Sequence, residues 1–87
     1  GRTGERQLAQ PSTIRAMHVP QPGTPGYGFG LNVNWDEEQG RARAVRHGGA
    51  FGTIAWADLE REVIGVMFTQ TAWRQAPEWR RAFYQAL

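Results

Sequence analysis

Residues 27–35 read YGFGLNVNW. Tyr27, Phe29, Leu31, Val33 and Trp35 alternate with Gly28, Gly30, Asn32 and Asn34. A period of two, apolar against small or polar, is the pattern of a strand that buries one face. The spacing predicts a strand over 27–35, and the neighbouring segments extend it into a sheet. DEEQG (36–40), closed by Gly40, predicts a hairpin turn. Residues 41–47 alternate again around Ala42 and Ala44, and Phe51 to Ala57 predict a third strand. DLERE (58–62) reads as a polar turn. VIGVMFTQ (63–70) is almost continuously apolar, as in a strand covered on both faces.

Outside this block the punctuation is helical. Residues 1–9 are polar with two glycines and predict a loop or lead-in turn. PSTIRAMH (11–18) predicts a short helix, with Pro11 at its first position or Ser12 as its N-cap. Ile14, Met17 and His18 fall on one side of it. PQPGTPG (20–26) is a breaker-rich connection. PEWRRAFYQAL (77–87) predicts a terminal helix with Pro77 and Glu78 in its first turn and Trp79, Ala82, Phe83 and Ala86 on one face. The fold class expected is α+β: one small domain over 1–87, an antiparallel sheet of about four strands with a short N-terminal helix and a C-terminal helix packed on it. Two short helices cannot cover both faces of such a sheet. The remainder is expected to be covered by another domain, another chain or a second copy.

Composition narrows the function. The chain has no cysteine, so neither a disulfide nor a thiolate metal site is available. His18 and His47 have no partner at metal-ligand spacing, so no metal and no cofactor are expected. The ten basic residues are all Arg and are scattered among eight acids, whereas a nucleic-acid footprint is a concentrated stripe. Nucleic acid is therefore disfavoured as a partner. No apolar run approaches the roughly 20 residues that span a bilayer, so no membrane partner is expected. The chain opens on Gly1 without Met, so trimming or processing at that end is expected. The acids of Asp36–Glu38 and Asp58–Glu62 fall in turns and read as solvated. Trp35, Trp56, Trp73 and Trp79 read as core.

The remaining feature is HGGAFG (47–52). Its glycines provide either a kink where two strands meet or a backbone that another molecule can approach closely. The ordered series of the YGFG segment, the turn, the HGGA tetrapeptide, the strand ending in Asp58-Leu59-Glu60, and V-x-G-V-x-x-T-Q (63–70) resembles the carboxy-terminal sheet of the serine beta-lactamase and penicillin-binding protein family. Esterase-type and class C-like members are the most similar. The lead-in GERQLAQPSTIRAM (4–17) resembles the helix that precedes that sheet.

The resemblance implies a cleft strand carrying the third active-site motif, with His47, Gly48 and Gly49 in its place. It implies that His47 shapes the cleft and supports proton movement or placement of a substrate carboxylate. Gly49 leaves room for substrate along the strand, and Ala50 offers its N–H to an oxyanion. The family's nucleophile is the Ser of S-x-x-K. This chain has no Lys, and its sole Ser, Ser12, lies in PSTI. Leu59 also stands where the family commonly has Pro. The expectation is a carboxy-terminal fragment of a serine hydrolase of the ester, beta-lactam or peptide amide class, inactive alone. The alternative is a free-standing sheet protein that binds a partner or self-associates.

Overall fold

The computed structural model describes residues 1–70 and 77–86. The element order is β1 (Arg2–Thr3), β2 (Arg6–Gln7), α1 (Pro11–Met17), β3 (Asn32–Asp36), β4 (Arg41–Gly48), β5 (Ile54–Asp58), β6 (Val63–Met67) and α2 (Pro77–Ala86). β3 to β6 form an antiparallel sheet in the order β3-β4-β5-β6, every neighbour joined by a short turn. The α+β class and the four-stranded sheet stand as read from the pattern. The polar lead-in, expected as a loop, closes instead into a two-residue ladder between β1 and β2.

α1 begins at Pro11, whose fixed φ suits the first helical turn, while Gln10 precedes it without a side-chain cap. Ser12 is therefore inside the helix and not its N-cap. The helix buries no residue fully. Ile14, Met17 and His18 are half-buried along one side, as their spacing requires.

The first predicted strand is shorter than its alternation. β3 starts at Asn32, and residues 27–31 fold back on themselves. Gly28 N–H donates to the Leu31 carbonyl at 2.9 Å, and Gly30 takes φ 76°. The alternating partners of Tyr27, Phe29 and Leu31 are glycines, which permit a turn as readily as a strand. Tyr27 and Phe29 consequently stand exposed.

A bulge sets the phase of the second strand. Asn34 lies opposite Ala44 but Trp35 lies opposite Ala42, so Arg43 is the extra residue on β4. The buried positions of β4 are therefore Ala42 and Val45, not Ala42 and Ala44. With Val33 they make the core of one face, against which Leu31, Trp35 and Ala57 pack. β5 begins at Ile54, three residues after Phe51, and β6 ends at Met67.

Arg43 also corrects the reading of the acidic turn. Asp36 is 7% exposed, and its Oδ2 lies 2.8 Å from both Nε and Nη2 of Arg43. Its Oδ1 accepts the N–H groups of Glu38 (2.9 Å) and Gln39 (3.1 Å). A short carboxylate at the strand end thus closes the turn and holds the bulge residue. Glu60 Oε1, 3.8 Å from Arg41 and Arg43, adds a weak outer contact of the surface kind. Asp58, also expected to be solvated, ends β5 half-buried, and its Oδ1 accepts the N–H of Glu60 and Arg61.

The N–H of Gln39 and then the guanidinium of Arg43 hold the Asp36 carboxyl below its ordinary value of 3.8. A depressed folded-state pKa contributes stability that is complete above the unfolded-state value and disappears as pH falls through the folded-state one. Asp36→Asn is thus expected to lower the urea midpoint at pH 7 and to flatten its decline in acid. Circular dichroism at a series of pH values checks both, and parallel profiles for the two proteins would contradict the assignment.

The opposite face of the sheet is held by Ile54 and Trp56, both buried. The Trp56 ring lies across Gly65, directly opposite it on β6, and occupies the space a Cβ would need. Phe83 of α2 meets Trp56 edge to face, centroids 4.9 Å apart at 87°. This contact seats the terminal helix. Ala82 and Ala86 of its predicted apolar side are exposed. Trp73 and the side chain of Trp79 lie outside the described residues, whereas Trp35 and Trp56 occupy core positions.

Candidate functional site

The end of β4 outlasts β3. The β3–β4 ladder stops at Asn32 opposite Arg46, while the β4–β5 ladder continues through His47 opposite Ala55 to Gly48 opposite Ile54. Gly49 N–H then donates to the Thr53 carbonyl at 2.7 Å. Successive residues of a strand direct their amides to opposite neighbours. Gly49 points toward β5, so Gly48 presents its N–H and carbonyl to the side where β3 has ended. Ala50, the next residue in phase, opens the turn, and its N–H takes no partner among the described residues. The result is a short length of strand edge left open beside an exposed His47.

The turn itself is fixed. Gly52 N–H donates to the Gly49 carbonyl at 3.2 Å with Gly52 at φ 89°. Two threonines tie it to the chain beyond β6. Thr69 Oγ1 donates to the Phe51 carbonyl at 2.8 Å, and Thr53 Oγ1 donates to the Thr69 carbonyl at 3.2 Å. Neither threonine stands out in the strand periodicity. The sequence signal was the T-Q at the end of V-x-G-V-x-x-T-Q.

Three glycines of this segment obey different constraints. Gly52 needs its left-handed backbone. Gly48 and Gly49 do not have positive φ, and a Cβ built on them finds room: the nearest atoms are the Thr53 carbonyl oxygen at 4.0 Å for Gly48 and Thr53 Cβ at 3.6 Å for Gly49. Nothing inside the described fold demands glycine at 48 or 49. The kink reading therefore fits Gly52, while Gly48 and Gly49 are bare on a surface that faces outward.

This divides the expected effects of alanine. At Gly48 and Gly49 alanine is expected to leave stability unchanged or to raise it by about 0.4–1 kcal/mol, through the unfolded chain. At Gly52 it is expected to cost about 1–3 kcal/mol, the strain of a side chain in the left-handed region. Chemical denaturation of the three variants measures the contrast, and a large loss at Gly49 would assign that glycine to the fold.

His47 shares its sheet face with Ala55 and Val66, opposite it across β5 and β6. Ile64 lies one row away beyond Ala57, 79% exposed, and Phe68 just past β6 is 85% exposed. The face that carries the histidine is thus core on the β3 side and open apolar surface on the β6 side. Among the described residues no group of three or more His, Asp or Glu is placed to hold a metal ion.

A family model described as Beta-lactamase matches residues 2–86 of the chain. No curated protein matches it, and no solved structure does.

Proposed function

Because this chain belongs to the beta-lactamase family, we propose that it is the carboxy-terminal part of a serine hydrolase of the esterase or class C type, one whose substrates are esters, beta-lactams or peptide amides. In this reading β4 is a wall of the cleft. A substrate lies along the edge beyond Arg46, with Gly48 and Gly49 bare so that its backbone or ring can come close. Ala50 N–H is one of two donors to the oxyanion, and His47 borders the cleft and supports proton movement or holds a substrate carboxylate. The observation that carries the reading is the pair of glycines that the fold does not require, on an edge that β3 leaves open.

The chemistry needs a nucleophile that these 87 residues lack: there is no Lys, and Ser12 sits within α1, in the sequence PSTI. An oxyanion donor without an attacking hydroxyl stabilises a charge that never forms. The chain alone is expected to leave a chromogenic ester and a chromogenic beta-lactam unhydrolysed above buffer. The decisive test is the reading frame upstream of the Gly1 codon, expected to be open and to encode an S-x-x-K serine. A start codon immediately before Gly1, or turnover by the pure chain, overturns the proposal.

A second reading has its own observation. Ile64, Val66 and Phe68 leave one sheet face apolar and exposed, which suits a free-standing module that self-associates or docks on another chain. Sedimentation velocity separates the two. A defined dimer of the pure chain supports the module, and a species that stays monomeric at high concentration removes its support.

A further inference from the structure

On the sheet face opposite His47 lies a cavity of about 570 Å³, between the loop at Pro25–Tyr27 and the turn after β5. The ladder register collects its polar lining. Asn32 stands opposite Arg46, Arg46 stands opposite Trp56, and Asn34 follows Asn32 two residues along β3 on the same face. All four line the cavity, with Tyr27 at its rim.

The hydrogen-bond inventory of these groups is unbalanced. Arg46 forms no ion pair, and the carboxamides of Asn32 and Asn34 make no hydrogen bond, among the described residues. Asp58 and Arg61 also line the cavity; Asp58 Oδ1 accepts the N–H groups of Glu60 and Arg61, and Asp58 forms no ion pair with Arg46. A guanidinium is a fork of donors matched to a carboxylate, and two carboxamides extend the donor set beside it. Trp56 and Tyr27 supply flat apolar wall. A few convergent polar groups on an apolar pocket of this size are the make-up of a small-molecule site.

We propose that this cavity binds a small organic acid: a carboxylate on Arg46 and Asn32, carried by a flat apolar body laid toward Trp56. The site lies on the sheet face opposite His47, apart from the open edge at Gly48 that the hydrolase reading uses.

The test titrates the 87-residue chain with phenylacetate, phenylacetamide and phenethylamine, followed by the ¹⁵N side-chain signals of Asn32, Asn34 and Arg46. Phenylacetate is expected to shift these signals saturably. The neutral amide is expected to bind about tenfold more weakly, the loss of one charge-assisted hydrogen-bond pair, and the amine not at all. Arg46→Gln should weaken phenylacetate by about tenfold as well. Should that variant fail to fold, Asn32→Leu removes a donor from the same place and is expected to lower affinity in the same direction. Equal binding of the three probes, shifts confined to other residues, no saturable shift up to the solubility limit, or unchanged affinity in a folded variant overturns the assignment.

Discussion

Gly65→Val is expected to be the most destabilising single change in the sheet, costing about 3 kcal/mol or more. The Trp56 ring occupies the position of the missing Cβ, so any side chain there must expel the indole. Among the described residues Trp56 is one of five buried apolar ones, with Val33, Ala42, Val45 and Ile54, and it seats Phe83 of α2. Displacing it opens the second face of the sheet and releases the terminal helix together. In a domain of this size such a loss corresponds to a fall in Tm of roughly 12–24 °C. Thermal denaturation reads the effect, and Gly65→Ala should fall in the same direction because even one methyl meets the ring. A Tm within a few degrees of the parent would mean that Trp56 can repack elsewhere.

In a polypeptide that joins this sheet to an S-x-x-K serine, Ala50→Pro is expected to lower kcat by about 10²–10³-fold. Proline deletes an amide hydrogen that has no partner among the described residues, while also fixing φ at position 50 and restricting Gly49. The loss should appear in kcat and leave KM nearly unchanged, because the donor acts on charge that develops only in the transition state. Ala50→Gly retains the N–H and is expected to retain most of the rate. Equal losses in both variants would point to the shape of the turn in place of its amide.

Much of this arrangement is written in the sequence at the level of pattern. The four strands, the closing turns and both helices follow from periods of two and 3.6 and from the placement of Pro and Gly. The errors have local causes. YGFG alternates, but alternation with glycine describes a chain that can turn, and Gly30 turns it. The phase of β4 slips at Arg43 because a bulge adds a residue that no periodicity announces. Asp36 looked like one acid in a solvated turn. Its role came from Arg43, seven positions along the chain, and only the hairpin brings the two together.

The candidate site divides in the same way. HGGA was visible as a motif, and the ordered segments around it resembled a known family. Which of its glycines the fold requires was not visible, because that depends on the backbone angle at Gly52 and on the distance from Gly49 to Thr53. The threonine ties at Thr53 and Thr69 join segments 16 to 18 residues apart. The polar row of Asn32, Asn34 and Arg46 was equally hidden, since its members lie on two strands and meet only through the register.

β6 closes one side of the sheet, and its far edge has no strand beside it among the described residues. The window VIGVMF (63–68) carries no charge and no proline, is half β-branched, and exposes Ile64, Val66 and Phe68. Such a segment on an open edge is a template on which identical segments stack into cross-β fibrils. The charges that could interrupt the stacking, Arg61 and Glu62, precede the window and do not lie within it. A strand laid along this edge would therefore do more than complete a sheet: it would keep these residues from seeding cross-β stacking.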